Sequence, residues 1–199
     1  MEFRLTYEGD LFAHKDQDPA NDTPKRANHK QEIRKYFHPQ LKRLWETNRF
    51  LKLGWTRNDG KVLPLAEHLA NLFPRDTYRC VPLVWKDASL LCGLDVLLLW
   101  TGKPGGVVHG GDLDNRLKTL LDALRMPENT EEFGQYTTPG QDETPFYVLL
   151  ENDNLISNFR VESDSILEVK PEQERSFVRV VITVRIKPYG GTLGNIRYL

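Results

Sequence analysis

Apolar and polar residues alternate at the start of the chain. Phe3, Leu5 and Tyr7 fall on one side of an extended segment, Arg4 and Thr6 on the other. A period of two marks a half-buried strand, because successive side chains leave a strand on opposite faces. Residues 9–24, rich in Asp, Asn and Pro, predict a loop. From about 26 to 49 the period changes. Ile33, Tyr36, Phe37, Leu41, Leu44 and Trp45 recur at helical spacing, and Pro39 is expected to kink that helix or to begin a second one. A shorter helix is expected over 64–73. Two apolar runs, 77–85 and 90–100, flank the polar segment 86–89 and predict a hairpin. A glycine-rich stretch, 102–111, then leads into a run with helical periodicity at 112–124. Residues 127–145 are acidic and rich in breakers, and predict a loop insertion. A strand is expected over 146–150, ending at a turn in 151–154, and an alternating segment follows over 155–163. The strongest strand pattern lies in 177–188, where Val178, Val180, Ile182, Val184 and Ile186 share a face. This order predicts one α+β domain over 1–199, a mixed β-sheet with helices packed mainly on one face.

Composition changes this picture little. With 39% hydrophobic and 28% charged residues, the chain reads as globular and long enough to bury a core. Cys80 and Cys92 are too few for a disulfide framework or a four-ligand zinc site. Both lie in apolar runs, which predicts buried thiols in a reducing compartment. The N-terminus lacks the pattern of a signal peptide, and the longest apolar run is broken by Gly93 and Asp95 and too short to cross a bilayer. The expected setting is cytoplasmic, with no membrane partner.

Charge is more informative where it clusters. On a helix over 113–125, Leu113, Leu117, Leu120, Leu121 and Leu124 form a core-facing stripe. Asp114, Lys118 and Asp122, spaced four residues apart, line its edge, and Asp112 stands at the start, where it can cap free backbone N–H groups. Asp114 also suits the positive helix end and can pair with Lys118. A second possibility needs a third acid from elsewhere in the chain. Converging carboxylates repel one another, and a divalent cation relieves that repulsion. Asp153, at the end of an apolar strand, is the candidate third acid, although Asp and Asn also close turns through their own side chains.

These residues carry a resemblance. "DLDNRLKTLLDAL", with Asp112, Asp114, Asn115 and Lys118, followed by "NDNLISNFRV", with Asp153 and Arg160, resembles the RusA-type Holliday junction resolvases. It covers residues 112–124 and 153–161. The chain departs from the family where an acidic pair is replaced by Asn152-Asp153, in the longer spacing between the two blocks, and in the scarcity of basic residues before the first. The resemblance implies a RusA-like fold and a metal-dependent endonuclease that cleaves branched DNA, resolving four-way junctions. It implies Asp112, Asp114 and Asp153 as ligands of Mg²⁺, with Mn²⁺ as the alternative ion. Lys118 would act on the developing phosphate charge, with Asn115 in support. Two matched cuts imply a homodimer. Asp122 is assigned a helical ion pair with Lys118, outside the catalytic set, and His109, alone in a glycine-rich loop, is expected to be merely exposed rather than to touch phosphate. Other readings remain: a nuclease of the same fold acting on another structured or single-stranded nucleic acid, or a non-catalytic DNA-binding module.

The basic surface missing before the first block has a substitute. Residues 25–61 hold eleven Lys and Arg against three acids in a chain of net charge −1. Such an excess suits a DNA backbone, and Lys25, Arg26, Lys30, Arg34, Lys42 and Arg43 are its expected contacts. Trp45, Trp55 and Tyr36 in the same segment are expected in the core.

Overall fold

The computed structural model describes residues 1–13, 23–56, 60, 62–101, 112–168, 176–191 and 195. They form an α+β fold with two larger sheets. The first sheet contains β1 (Glu2–Asp10), β6 (Leu90–Trp100), β8 (Ile156–Ser165) and β9 (Phe177–Pro188), in the order β1-β9-β6-β8. β9 lies antiparallel to both β1 and β6, whereas β6 and β8 run parallel. A second sheet has the order β4 (Pro74–Arg75), β5 (Tyr78–Val84), β7 (Phe146–Leu150), with β5 and β7 parallel. The short strands β2 (Gly54–Thr56) and β3 (Val62–Pro64) pair apart from both. The helices are α1 (Thr23–Thr47), α2 (Leu65–Leu72) and α3 (Asp112–Leu124).

Alternation in the sequence becomes burial in the first sheet. Leu5 and Tyr7 of β1, and Val178, Val180, Ile182, Val184 and Ile186 of β9, all face the core. On β6 the even-numbered residues from Leu90 to Leu98 do the same. The opposite face carries Glu2, Arg4, Asp95, Arg179 and Arg185. Ion pairs cross it from Arg185 to Glu2 at 3.0 Å and to Asp95 at 2.6 Å, and from Arg179 to Glu8 at 3.4 Å. Residues of both sheets and all three helices join one hydrophobic core.

The runs over 77–85 and 90–100 do not form the expected hairpin. β5 bonds to β7 and β4, and β6 to β8 and β9, so the two belong to different sheets. Their patterns explain the division. β5 is buried on both faces, with Cys80, Val81, Leu83 and Val84 all inaccessible, and suits a covered parallel pair. β6 is buried on one face only and suits the edge of the core. Between them the chain turns through a 3-10 turn (Lys86–Ala88) and a left-handed Ser89, φ 54°.

α1 runs unbroken through Pro39, so no second helix begins there. Ile33, Phe37, Leu41 and Trp45 recur every four residues and are all buried, holding the segments before and after the proline against one core. Tertiary packing outweighs one lost helical hydrogen bond. Tyr36 is not in the core; it is 42% exposed and lies edge-on to Tyr7 at 5.0 Å. The Trp55 side chain lies outside the described residues. α1 also guards the β1 edge of the sheet. The Gln40 amide accepts from Thr6 N–H at 3.0 Å and donates to Thr6 C=O at 2.7 Å, as a neighbouring strand would.

The acidic segment 127–145 is more than a loop. It forms a 3-10 turn (Thr130–Phe133), capped by Asn129, that packs on α1. Phe133 is buried and stacks on Tyr78 at 4.3 Å.

Candidate functional site

Four side chains anchor α3 from its start. Leu113 and Leu120 are buried in the core. Arg116, also buried, donates to the carbonyls of Leu11 and Ser176, the latter at 3.3 Å, and its guanidinium stands 5.9 Å from the Trp100 ring centroid. Thr119 donates to Phe12 C=O at 3.2 Å. Leu11, Ser176 and Trp100 all lie where β1 ends, β9 begins and β6 ends, so the first turns of α3 sit at that end of the sheet. Arg116 was not among the sequence candidates. Its position three residues after Leu113 and four before Leu120, on the apolar stripe, is the signal that could have found it.

The Asp153 turn is fixed just as firmly. Glu151 N–H bonds to Val84 C=O at 2.9 Å, and the Glu151 carboxylate accepts from Lys86 N–H at 2.7 Å. The next residues form a 3-10 turn (Asp153–Leu155) at the carboxyl ends of the parallel β5 and β7. Its cap is Asn152, whose side chain accepts from Asn154 N–H at 3.0 Å. The turn-closing role open to Asp153 in the sequence is therefore taken by the residue before it. Asp153 itself is exposed, and among the described residues its carboxylate takes no hydrogen bond or ion pair. The same holds for Asp114, exposed on α3. Lys118, one turn further along, is exposed, and Asn115 is half-buried. The Asp112 side chain, and the stretch 102–111 with Lys103 and His109, lie outside the described residues.

The turn and the helix start are anchored at opposite ends of β6. Ile156, just after the turn, is in register with Cys92, whereas Arg116 stands over Trp100. The eight residue steps from Cys92 to Trp100 span roughly 26 Å of strand. α3 touches the turn. Beyond its last turn, Met126 N–H bonds to Leu150 C=O at 2.8 Å. Among the described residues, no three His, Cys, Asp or Glu side chains gather closely enough to hold a metal ion. The exposed oxygens of Asp114 and Asp153 are hard donors of the kind Mg²⁺ takes.

Asp122 does not pair with Lys118. It meets Lys30 at 2.5 Å and Arg125 at 3.9 Å, tying α3 to α1. This contact opens a charged network that corrects the expected DNA surface. Arg34 is 1% exposed. It donates to the carbonyls of Asp122 at 2.9 Å, Arg125 at 3.1 Å and Glu132 at 3.2 Å, and to the Glu132 carboxylate at 3.1 Å. Burial lowers its pKa to about 10, with Glu132 pulling it back up, so it stays cationic at neutral pH. Such a residue cannot reach a phosphate. Lys30 and Lys42 are occupied, Lys42 by Asp142 at 3.6 Å, and the neighbouring Lys35 meets Glu143 at 3.1 Å. Acids of α3 and of segment 127–145 thus neutralise much of the basic helix. Lys25 and Arg43 are exposed, and Arg26 is half-buried.

Neither thiol is a candidate nucleophile. Burial pushes both Cys80 and Cys92 up to about 12. No helix among the described residues is long and apolar enough to cross a membrane. Compared with protein-family models, with curated proteins and with solved structures, the chain gives no match.

Proposed function

We propose that this protein is a RusA-like, Mg²⁺-dependent endonuclease of branched DNA, with four-way junctions as its substrate. One observation carries the reading: Asn152 caps the turn and leaves the Asp153 carboxylate exposed and without a partner among the described residues, as Asp114 is on α3. Structural acids are spent on caps and ion pairs, as Asp122 and Glu151 are here. Among the described residues Asp114 and Asp153 have no such use, which leaves their carboxylates open to a cation.

Because one chain anchors these acids towards opposite ends of β6, the full set forms between two copies. Asp112 and Asp114 of one chain would hold the ion together with Asp153 of the other. Bound there, Mg²⁺ supplies charge neutralisation and an activated water for hydrolysis of the phosphodiester. Lys118, one turn from Asp114, offsets the negative charge that develops on the phosphate. Asn115 steadies the start of the helix. Lys25 and Arg43 supply cations for the DNA backbone.

The test is cleavage of labelled duplex, flap, fork and four-way substrates in Mg²⁺. Asp114→Asn and Asp153→Asn should each lose cleavage with unchanged melting, because neither carboxylate supports the fold. Mixing the two inactive variants should restore nicking to about a quarter, since half the dimers are mixed and each of those regains one site. If Asp114→Asn cuts as fast as the unaltered protein, the nuclease reading fails. If the variants are dead and mixing restores nothing, each site lies within one chain.

A further inference from the structure

The two edges of the four-stranded sheet are treated differently. The β1 edge is closed at Thr6 by the Gln40 amide. The β8 edge is ten residues long, and among the described residues no strand lies beyond it. A long edge with free backbone N–H and C=O groups is a template for another strand. Its side chains are also incompletely covered. Phe159, on the same face as the core residue Leu94, is 40% exposed. On the other face the Arg160 and Glu162 side chains are 73% and 70% exposed.

We propose that β8 pairs antiparallel with the β8 of a second copy, on a twofold axis through Val161, joining the two sheets into one of eight strands. A twofold axis perpendicular to the sheet sets each residue opposite one of the same face, so only axes through a residue are allowed. With the axis at Val161, each Arg160 stands opposite the partner's Glu162, two opposite-charge pairs facing directly across the strands. Phe159 stands opposite the partner's Ser163 on the core-facing side. Moving the axis one residue either way sets Arg160 against Arg160 or Glu162 against Glu162. The charge pattern therefore selects one register. The inference deepens the nuclease reading and rests on it for the need of a second copy. Antiparallel pairing also carries each Asp153 turn towards the Trp100 end of its partner, where α3 begins.

Sedimentation of the full chain at micromolar concentration, without DNA, tests the pairing. The unaltered protein should run as a dimer and Glu162→Arg as a monomer, because that change sets arginine against arginine. The double swap Arg160→Glu/Glu162→Arg should restore the dimer. Under oxidation Val161→Cys should yield a covalent dimer, since paired strands place facing Cα atoms about 4.5–5.5 Å apart, within disulfide reach. Asn158→Cys should not, because its counterpart lies six residues along, roughly 20 Å away. A monomeric unaltered protein would overturn the proposal and show that Arg160 and Glu162 guard a free edge. A dimer indifferent to Glu162→Arg, with no cross-link at Val161, would overturn it as well. Dimers that cut no DNA would sink the nuclease reading and leave the interface standing.

Discussion

Arg34 offers the sharpest test of how charge is used in this protein. Its guanidinium holds the carbonyls of Asp122 and Arg125, at the end of α3, and both the carbonyl and the carboxylate of Glu132. Helix ends leave carbonyls without intrahelical partners, and Arg34 satisfies two of them from inside the core. Arg34→Met keeps most of the packing volume and removes every one of these bonds. Glu132 retains its pair with Arg125 at 2.9 Å, which limits the damage. The carbonyls of Asp122, Arg125 and Glu132 lose the donor that reaches them. Leaving a buried acceptor without its donor costs about 1–3 kcal/mol, so the carbonyls of Asp122 and Arg125 together cost about 4 kcal/mol. That is a large part of a typical domain stability of about 5–15 kcal/mol. With a urea dependence of about 2 kcal/mol per molar, the unfolding midpoint should fall by about 2 M. Arg34→Lys should recover little, because an ammonium cannot reach several acceptors in the fixed fork of a guanidinium. The assay is urea unfolding followed by tryptophan fluorescence, with junction binding measured on the folded fraction. A midpoint shift under about 0.5 M, equivalent to about 1 kcal/mol at that slope, together with weakened DNA binding, would refute the reasoning and return Arg34 to the surface role read from sequence.

Acid should weaken the fold through its buried histidines. His38 accepts from Tyr147 N–H at 2.9 Å, its other ring nitrogen lies 2.9 Å from Asp142 C=O, and burial lowers its pKa, as it does that of His29. A lowered folded pKa favours the neutral ring, so this stability is full above the unfolded value of about 6.5 and is lost as pH falls from there through the folded value. Urea midpoints at about pH 7.5 and pH 5 should therefore differ, and His38→Gln should narrow the gap; equal midpoints would refute the account. For DNA binding, Lys25→Ala with Arg43→Ala should lower the salt slope of junction affinity by about two units without changing melting. An unchanged slope would show that these cations face only water.

The sequence alone determined the strands that are buried on one face and the stripe of α3, because burial on one side writes its period into the chain. It also set out Asp112, Asp114, Lys118 and Asp153 as candidates, since acids at a helix start and after an apolar strand are legible as residue types at fixed spacing. What it could not determine was which apolar run pairs with which. β5 and β6 are neighbours in sequence and read as a hairpin, yet partner choice depended on whether each strand was covered on one face or two. Pro39 misled for a related reason: a local rule was outweighed by four buried side chains spaced along the same helix. Asp153 and Asn152 were equally good turn residues in the sequence, and only the folded backbone selected Asn152 as the cap. Charge was least legible of all. Eleven cations in 25–61 gave the sum correctly, but the sum does not say which ones face water. That was decided by acids far along the chain, Asp122, Glu132, Asp142 and Glu143, which the fold brings against α1. Period and residue type are local properties, whereas pairing and neutralisation depend on what lies opposite, and only tertiary structure supplies that.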